Sequence, residues 1–226
     1  MTNYAEEMIR LKDKLLAMAS HAETAVARAM RALTERDDML ARQVQTDDNI
    51  LDQLEIEIDD IAIHLLAMAP VATDLRFITV AMKISKNLER VGDEAGTIAR
   101  RTQDLNAESR LRFDVDLPRM ATQALEMLHG ALDAFVQRRP DLARAVIPRD
   151  AEVDALNRQV HRALSSYMIE APANITRCLA LMAVSRSLER VADHATNIAE
   201  DVVYLYEARD IRHSGVQPHE AQDPGR

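Results

Sequence analysis

Four pairs of acidic residues in this chain are spaced four apart and fall into two matching sets: Asp48 and Asp52 with Glu89 and Asp93, then Asp150 and Asp154 with Glu189 and Asp193. On a helix, that spacing puts both members of a pair on one face. Like charges so placed weaken a helix by about 0.2–0.5 kcal/mol per pair, a cost that neighbouring Arg90 and Arg190 can offset. Clustered carboxylates with no thiolate and little imidazole suit hard or borderline cations: Mg²⁺, Mn²⁺, iron or Zn²⁺. The alternative is a solvated acidic face carrying intrahelical ion pairs, such as Lys86 or Arg186 with the glutamate three residues on. Spacing leaves both readings open. Recurrence favours a function, because the four pairs keep matching places while most other surface positions differ between the copies.

The elements that must carry these acids show in the apolar spacing. Met8, Leu11, Leu15, Met18, Ala22, Ala25, Ala29 and Leu33 recur at three and four residues, the seam of a bundle helix. A second seam runs from Leu51 to Met68 and stops at Pro70, and a third runs from Phe77 to Ile98. With Leu88 at zero and 100° per residue, the third seam centres near about −30°, whereas Glu89 and Asp93 fall near about 100° and 140°. The acids point away from the core. Asp48 and Asp52 lie on the flank of the second seam, so carboxylates of two adjacent helices are expected to converge on one surface groove.

The pattern then repeats. The stretch NAESRLRFDVDLP, from Asn106 to Pro118, breaks the periodicity, and Asp116 ahead of Leu117 and Pro118 reads as a helix start. Three further seams follow, through Leu117 to Ala134, Val153 to Tyr167 and Leu188 to Val202, with Pro140 at the turn and Pro148 breaking or kinking the fifth helix at its start. LARQVQTDDNILD at Leu40 answers LARAVIPRDAEVD at Leu142, and NLERVGDEA answers SLERVADHA. The second copy trails the first by 102 residues up to the Ala-Pro and by 100 beyond it, so the copies differ in the turn between. These observations predict an all-α fold of two tandem antiparallel three-helix bundles, residues 1–108 and 109–208, followed by a disordered tail, 209–226. Each helix is expected to run about 30 residues, roughly 45 Å. Small residues at Gly92 and Ala192 suit close helix approach, and His194 beside Asp193 reads as an exposed bystander.

Composition narrows the function. The chain has 226 residues and a formal charge of −9, which argues against a nucleic-acid binder because phosphate contacts need clustered Lys and Arg. One cysteine allows neither an intramolecular disulfide nor a thiolate metal cage, and Cys178, in RCLALMAV, reads as a buried core thiol. The N-terminus lacks the apolar core of a signal peptide, and no segment has the continuous apolar run of a membrane span, so a soluble cytoplasmic protein is expected. Beyond Leu, Val and Ala on the seam, the halves differ on the acidic face. The second has Asn197 and Glu200 where the first has Thr97 and Arg100. If only one cluster binds metal, the second is the better candidate.

At these residues the sequence resembles the PhoU family, cytoplasmic regulators of bacterial phosphate uptake and signalling. The resemblance spans about residues 5 to 208. It rests on PVATDLRFITVAMKISKNLERVGDEAGTIA from Pro70, on the paired signatures NLERVGDEA and SLERVADHATNIAE, and on the duplication itself. It implies two three-helix bundles whose E/D-x-x-x-D faces hold multinuclear iron or zinc clusters in some members. Asp48, Asp52, Glu89 and Asp93 would form one such metal site, and Asp150, Asp154, Glu189 and Asp193 the other. The first signature departs from the family pattern, with Glu94 and Thr97 where His and Asn are usual. The implied role is to repress the phosphate-starvation response by linking the phosphate ABC transporter, through its ATPase subunit, to a sensor histidine kinase. It implies no catalysis and peripheral membrane association only through partners, and it leaves room for a homodimer.

Two other classes compete. A carboxylate-bridged metal protein with redox or storage activity, of the di-iron type, needs Glu-x-x-His on two helices projecting inward. This chain offers only Glu126 to His129, off the Met127 seam. A purely structural helical scaffold would bind partners equally well after chelation or loss of the acids.

Overall fold

The computed structural model describes residues 3–111, 113 and 115–211. All regular structure among them is helical. Helix α1 spans Tyr4–Glu35, α2 Asp38–Ala67 and α3 Ala72–Asn106. After the linker come α4, Leu117–Gln137; α5, Pro140–Val146; α6, Asp150–Glu170; and α7, Ile175–Glu207. No helix among the described residues is long and apolar enough to cross a membrane.

Local chemistry sets the boundaries. Asn3 and Glu6 cap α1 reciprocally, and Asp37 and Asp116 accept backbone N–H bonds at the starts of α2 and α4. Helices α1 and α4 both end on an arginine in the left-handed conformation, Arg36 and Arg138. A reversal within about three residues then follows, so successive helices pack antiparallel. The buried faces follow the expected seams: Leu11, Leu15, Met18 and Ala22 on α1; Leu51, Leu54, Ile58 and Leu65 on α2; Ile84, Leu88, Val91 and Ala95 on α3. The single cysteine, Cys178, is buried and reduced.

The second half departs from the expected uniform helices of about 30 residues. Helices α4 and α6 have 21 residues each, and the counterpart of α2 is broken into α5, a 3₁₀ turn over Ile147–Arg149, and α6. Pro148 sits inside that turn, where its missing N–H and its ring are incompatible with a continuing α-helix. The expected disordered tail falls mostly on residues 212–226, outside the described residues.

The halves join through their third helices. Lys83 pairs with Asp201 at 3.3 Å, Arg190 donates to Glu94 at 3.1 Å, and Arg76 reaches the Leu205 carbonyl. Rising numbers on α3 thus meet falling numbers on α7. The antiparallel α3–α7 seam merges both apolar faces into one continuous core.

Candidate metal centres

In the first half, α2 lies close enough on α3 for Asp48 to overhang the α3 backbone. A Cβ at Gly92 would stand 2.4 Å from Leu51 Cδ1 and 3.0 Å from Asp48 Oδ1, and one at Gly96 would stand 3.5 Å from Asp48 Oδ2. The small residue at position 92 therefore serves helix approach, and that approach brings the two acid pairs together. Burial, followed by the charges of Asp93 and Asp52, pushes the Asp48 carboxyl up to about 6. Glu89 is raised too, first by burial and then by Asp93. Cations partly neutralise this cluster: Lys86 stands 3.3 Å from Glu89, and Arg90 bonds Asp93 at 2.9 Å. Arg100 adds a further positive charge near Asp48 and donates to Thr97.

The second cluster is built the same way with fewer cations. Asp150 opens α6, and α7 carries Glu189 and Asp193 on the facing side. Burial, then Asp150, Glu189 and Asp154, drives the Asp193 carboxyl up to about 6. Asp150 is raised by burial, Asp154 and Glu189. Arg158 pairs with Asp154 at 3.4 Å, but Arg186 makes no ion pair with Glu189 among the described residues, contrary to the expected i, i+3 pairing. The eight acids thus fall into the two predicted sets of four, each spanning two adjacent helices.

The donor chemistry fits a hard cation in both places. In the second cluster Asp150 Oδ1 is buried without a hydrogen-bond partner among the described residues, whereas in the first Glu89 Oε2 already faces Lys86 at 3.3 Å and Arg90 at 3.4 Å. The side chains stand apart, however: no three His, Cys, Asp or Glu groups among the described residues are gathered tightly enough to enclose a metal ion. Glu89, Asp93 and Asp154 are instead held by the neighbouring cations Lys86, Arg90 and Arg158.

His194 is not the exposed bystander its position suggested. It is half-buried in the α3–α7 seam, its Nδ1 2.9 Å from Asn87 Oδ1, and burial lowers its pKa. Asn197 turns toward the same Asn87. With Arg190 and Glu94 these residues form a polar strip between the two acid clusters, which sequence reasoning missed. The available signal was the four-then-three spacing of Arg190, His194 and Asn197. Glu126 and His129 are exposed; Glu126 meets Arg149, and His129 meets Glu23 of α1 at 2.9 Å.

A duplicated helical unit with acid clusters where the second and third helices of each copy meet defines a class of all-α tandem-repeat proteins. The PhoU domain matches residues 15–102 and again 117–202, and the chain belongs to the PhoU family. It is 39% identical over 221 residues to the phosphate-specific transport system accessory protein PhoU homolog of Pseudomonas putida, covering 97% of this chain and 86% of that one. The crystal structure of PhoU from Pseudomonas aeruginosa superposes with a TM-score of 0.89 at 38% identity, covering 92% of this chain and all of that chain. The phosphate transport system regulatory protein PhoU from Streptococcus pneumoniae superposes at 0.86 with 25% identity over 92% of this chain and 99% of that one.

Proposed function

We propose that this protein regulates phosphate uptake and phosphate signalling in the cytoplasm. It holds the phosphate-starvation response off by linking the ATPase subunit of a phosphate ABC transporter to a sensor histidine kinase. The observation that carries this reading is the pair of PhoU domains, which match residues 15–102 and 117–202. The accessory and regulatory names of relatives that match nearly end to end support the phosphate role.

Asp48, Asp52, Glu89 and Asp93 would hold one set of metal ions, and Asp150, Asp154, Glu189 and Asp193 the other. A bound cation such as Mn²⁺, Mg²⁺, Zn²⁺ or iron would supply positive charge that lets four carboxylates share one groove. The chain's own part is to present deprotonated oxygens from two helices, and so to tie α2 to α3 and α6 to α7. The second cluster has fewer competing cations, which supports it as the stronger site.

The test is a phosphate-starvation reporter in cells lacking this gene, grown in high phosphate. Constitutive expression that returns to repression on complementation is expected. Normal repression in the deletion, with unchanged phosphate uptake, would overturn the reading.

A further inference from the structure

The linker between the halves does more than connect them. Leu111, Phe113 and Val115, alternate residues of the linker sequence, pack against the core across one end of the molecule. Phe113 stacks on Tyr167 with ring centroids 4.5 Å apart. Arg36, the left-handed residue ending α1, donates to the carbonyls of Leu105 and Glu108 at 3.0 and 2.6 Å. Arg177 holds the Ser109 carbonyl at 2.8 Å. With the linker in place, this end keeps a recess of only 150 Å³.

The duplication supplies a counterpart at the other end. Leu33, Thr34 and Arg36 correspond to Phe135, Val136 and Arg138, and Leu105 and Asn106 correspond to Leu205 and Tyr206. The first set lines the linker-filled recess and the second lines an open groove of 470 Å³. The segment leaving α7 starts as the linker does, with Ile211 packed on the core where Leu111 stands in the first copy. The sequence then puts His213 and Gly215 at the places of Phe113 and Val115. By sequence, the apolar residues that pack at one end therefore have no apolar counterparts at the matching places beyond Ile211. Leu16 and Val136 on the open groove are left 42% and 54% exposed.

The groove's rim is positive on a chain whose net charge is −9. Lys12 lies over the Phe77 ring at 5.1 Å, Arg76 reaches only a backbone carbonyl and the Tyr204 ring, and Arg138 makes no ion pair among the described residues. Asp74, the one acid among the lining residues, accepts the Tyr4 hydroxyl at 3.0 Å. We infer that this groove receives an extended segment of a partner protein in which apolar side chains alternate with acidic ones, seated as the chain's own linker is seated at the opposite end. The segment's aromatic or aliphatic groups fill the space beside Phe77 and Phe135, and its carboxylates meet Lys12, Arg76 and Arg138. The inference rests on the adaptor reading for the partner's role, but the groove itself is tested without phosphate, so either can fail alone.

The probe is a fluorescein-labelled peptide of residues 107–117 carrying Arg110→Glu and Arg112→Glu, titrated into the full chain and followed by anisotropy. Saturable binding is expected. Val136→Glu and Arg138→Glu should each weaken it about tenfold or more, while Met39→Glu, on exposed α2 surface, leaves it unchanged. Absence of saturable binding to the full chain overturns the inference. Binding that appears only when the chain ends at Ile211 overturns it in favour of the chain's own tail. A dimer that excludes the peptide and is abolished by Val136→Glu overturns it in favour of a second copy.

Discussion

Asp48 and Asp193 sit at non-equivalent positions of the two copies, one on the second helix of its half and one on the third, yet desolvation and the other acids of the cluster drive each up to about 6. Their ordinary pKa is near 3.8, so the folded chain holds these protons more tightly than the unfolded one. The stability they lend is full below the ordinary value and is lost as pH rises through about 6, where the folded carboxylates ionise against their neighbours. Without metal, Asp48→Asn should therefore raise the thermal midpoint at pH 7.5 and leave it nearly unchanged at pH 4, as followed by circular dichroism. Metal binding runs the other way. Ligation needs the ionised form, so Mn²⁺ affinity measured by calorimetry should fall steadily as pH drops through about 6. An affinity flat from pH 8 to 5 would mean these aspartates are not ligands.

Gly92 sets how near α2 comes to α3. A branched side chain there must displace Leu51, which is 2% exposed, and Asp48 together. Gly92→Val should cost about 1–3 kcal/mol in urea unfolding, the range for overpacking a filled core. Ala192 already carries a Cβ at the matching position, so Ala192→Gly should cost only about 1 kcal/mol, the helix-propensity difference. Much of this was legible in the sequence, because seams such as Leu11, Leu15, Met18 and Ala22 keep their period wherever one face is buried. The break at Pro148 was legible as a break. Its consequence, a seven-residue α5 ahead of a 21-residue α6, was not, since it depends on how the 3₁₀ turn packs. The groupings of the acids followed from helix geometry, whereas the orientation of each carboxylate depends on cations such as Arg90 that local spacing does not place.

The two halves act as one body because α3 and α7 share a seam, a pairing between residues about 100 apart that no periodicity within a helix encodes. Asp201 is buried in that seam with 5% exposure, and Lys83 is its cation from the other half. Lys83→Met should cost about 1–3 kcal/mol, since it strips a charged hydrogen bond from a buried carboxylate, measured by urea unfolding at pH 7.5. The polar strip of Asn87, Glu94, Arg190 and His194 crosses the same seam between the two acid clusters, so movement of α3 against α7 would be felt at both. Metal in either cluster would thus brace a helix pair that also carries the contact between halves.

The most direct measurement is metal binding by the chelator-treated full chain at pH 7.5, using Mn²⁺, Zn²⁺ and ferrous iron. It is made beside a variant with Glu89→Ala, Asp93→Ala, Glu189→Ala and Asp193→Ala. The expected result is saturable binding by the parent chain, loss of that binding in the variant, and the same helical content in both. Equal metal binding by the two proteins, or none by the parent, would contradict the assignment of these carboxylates as the functional sites.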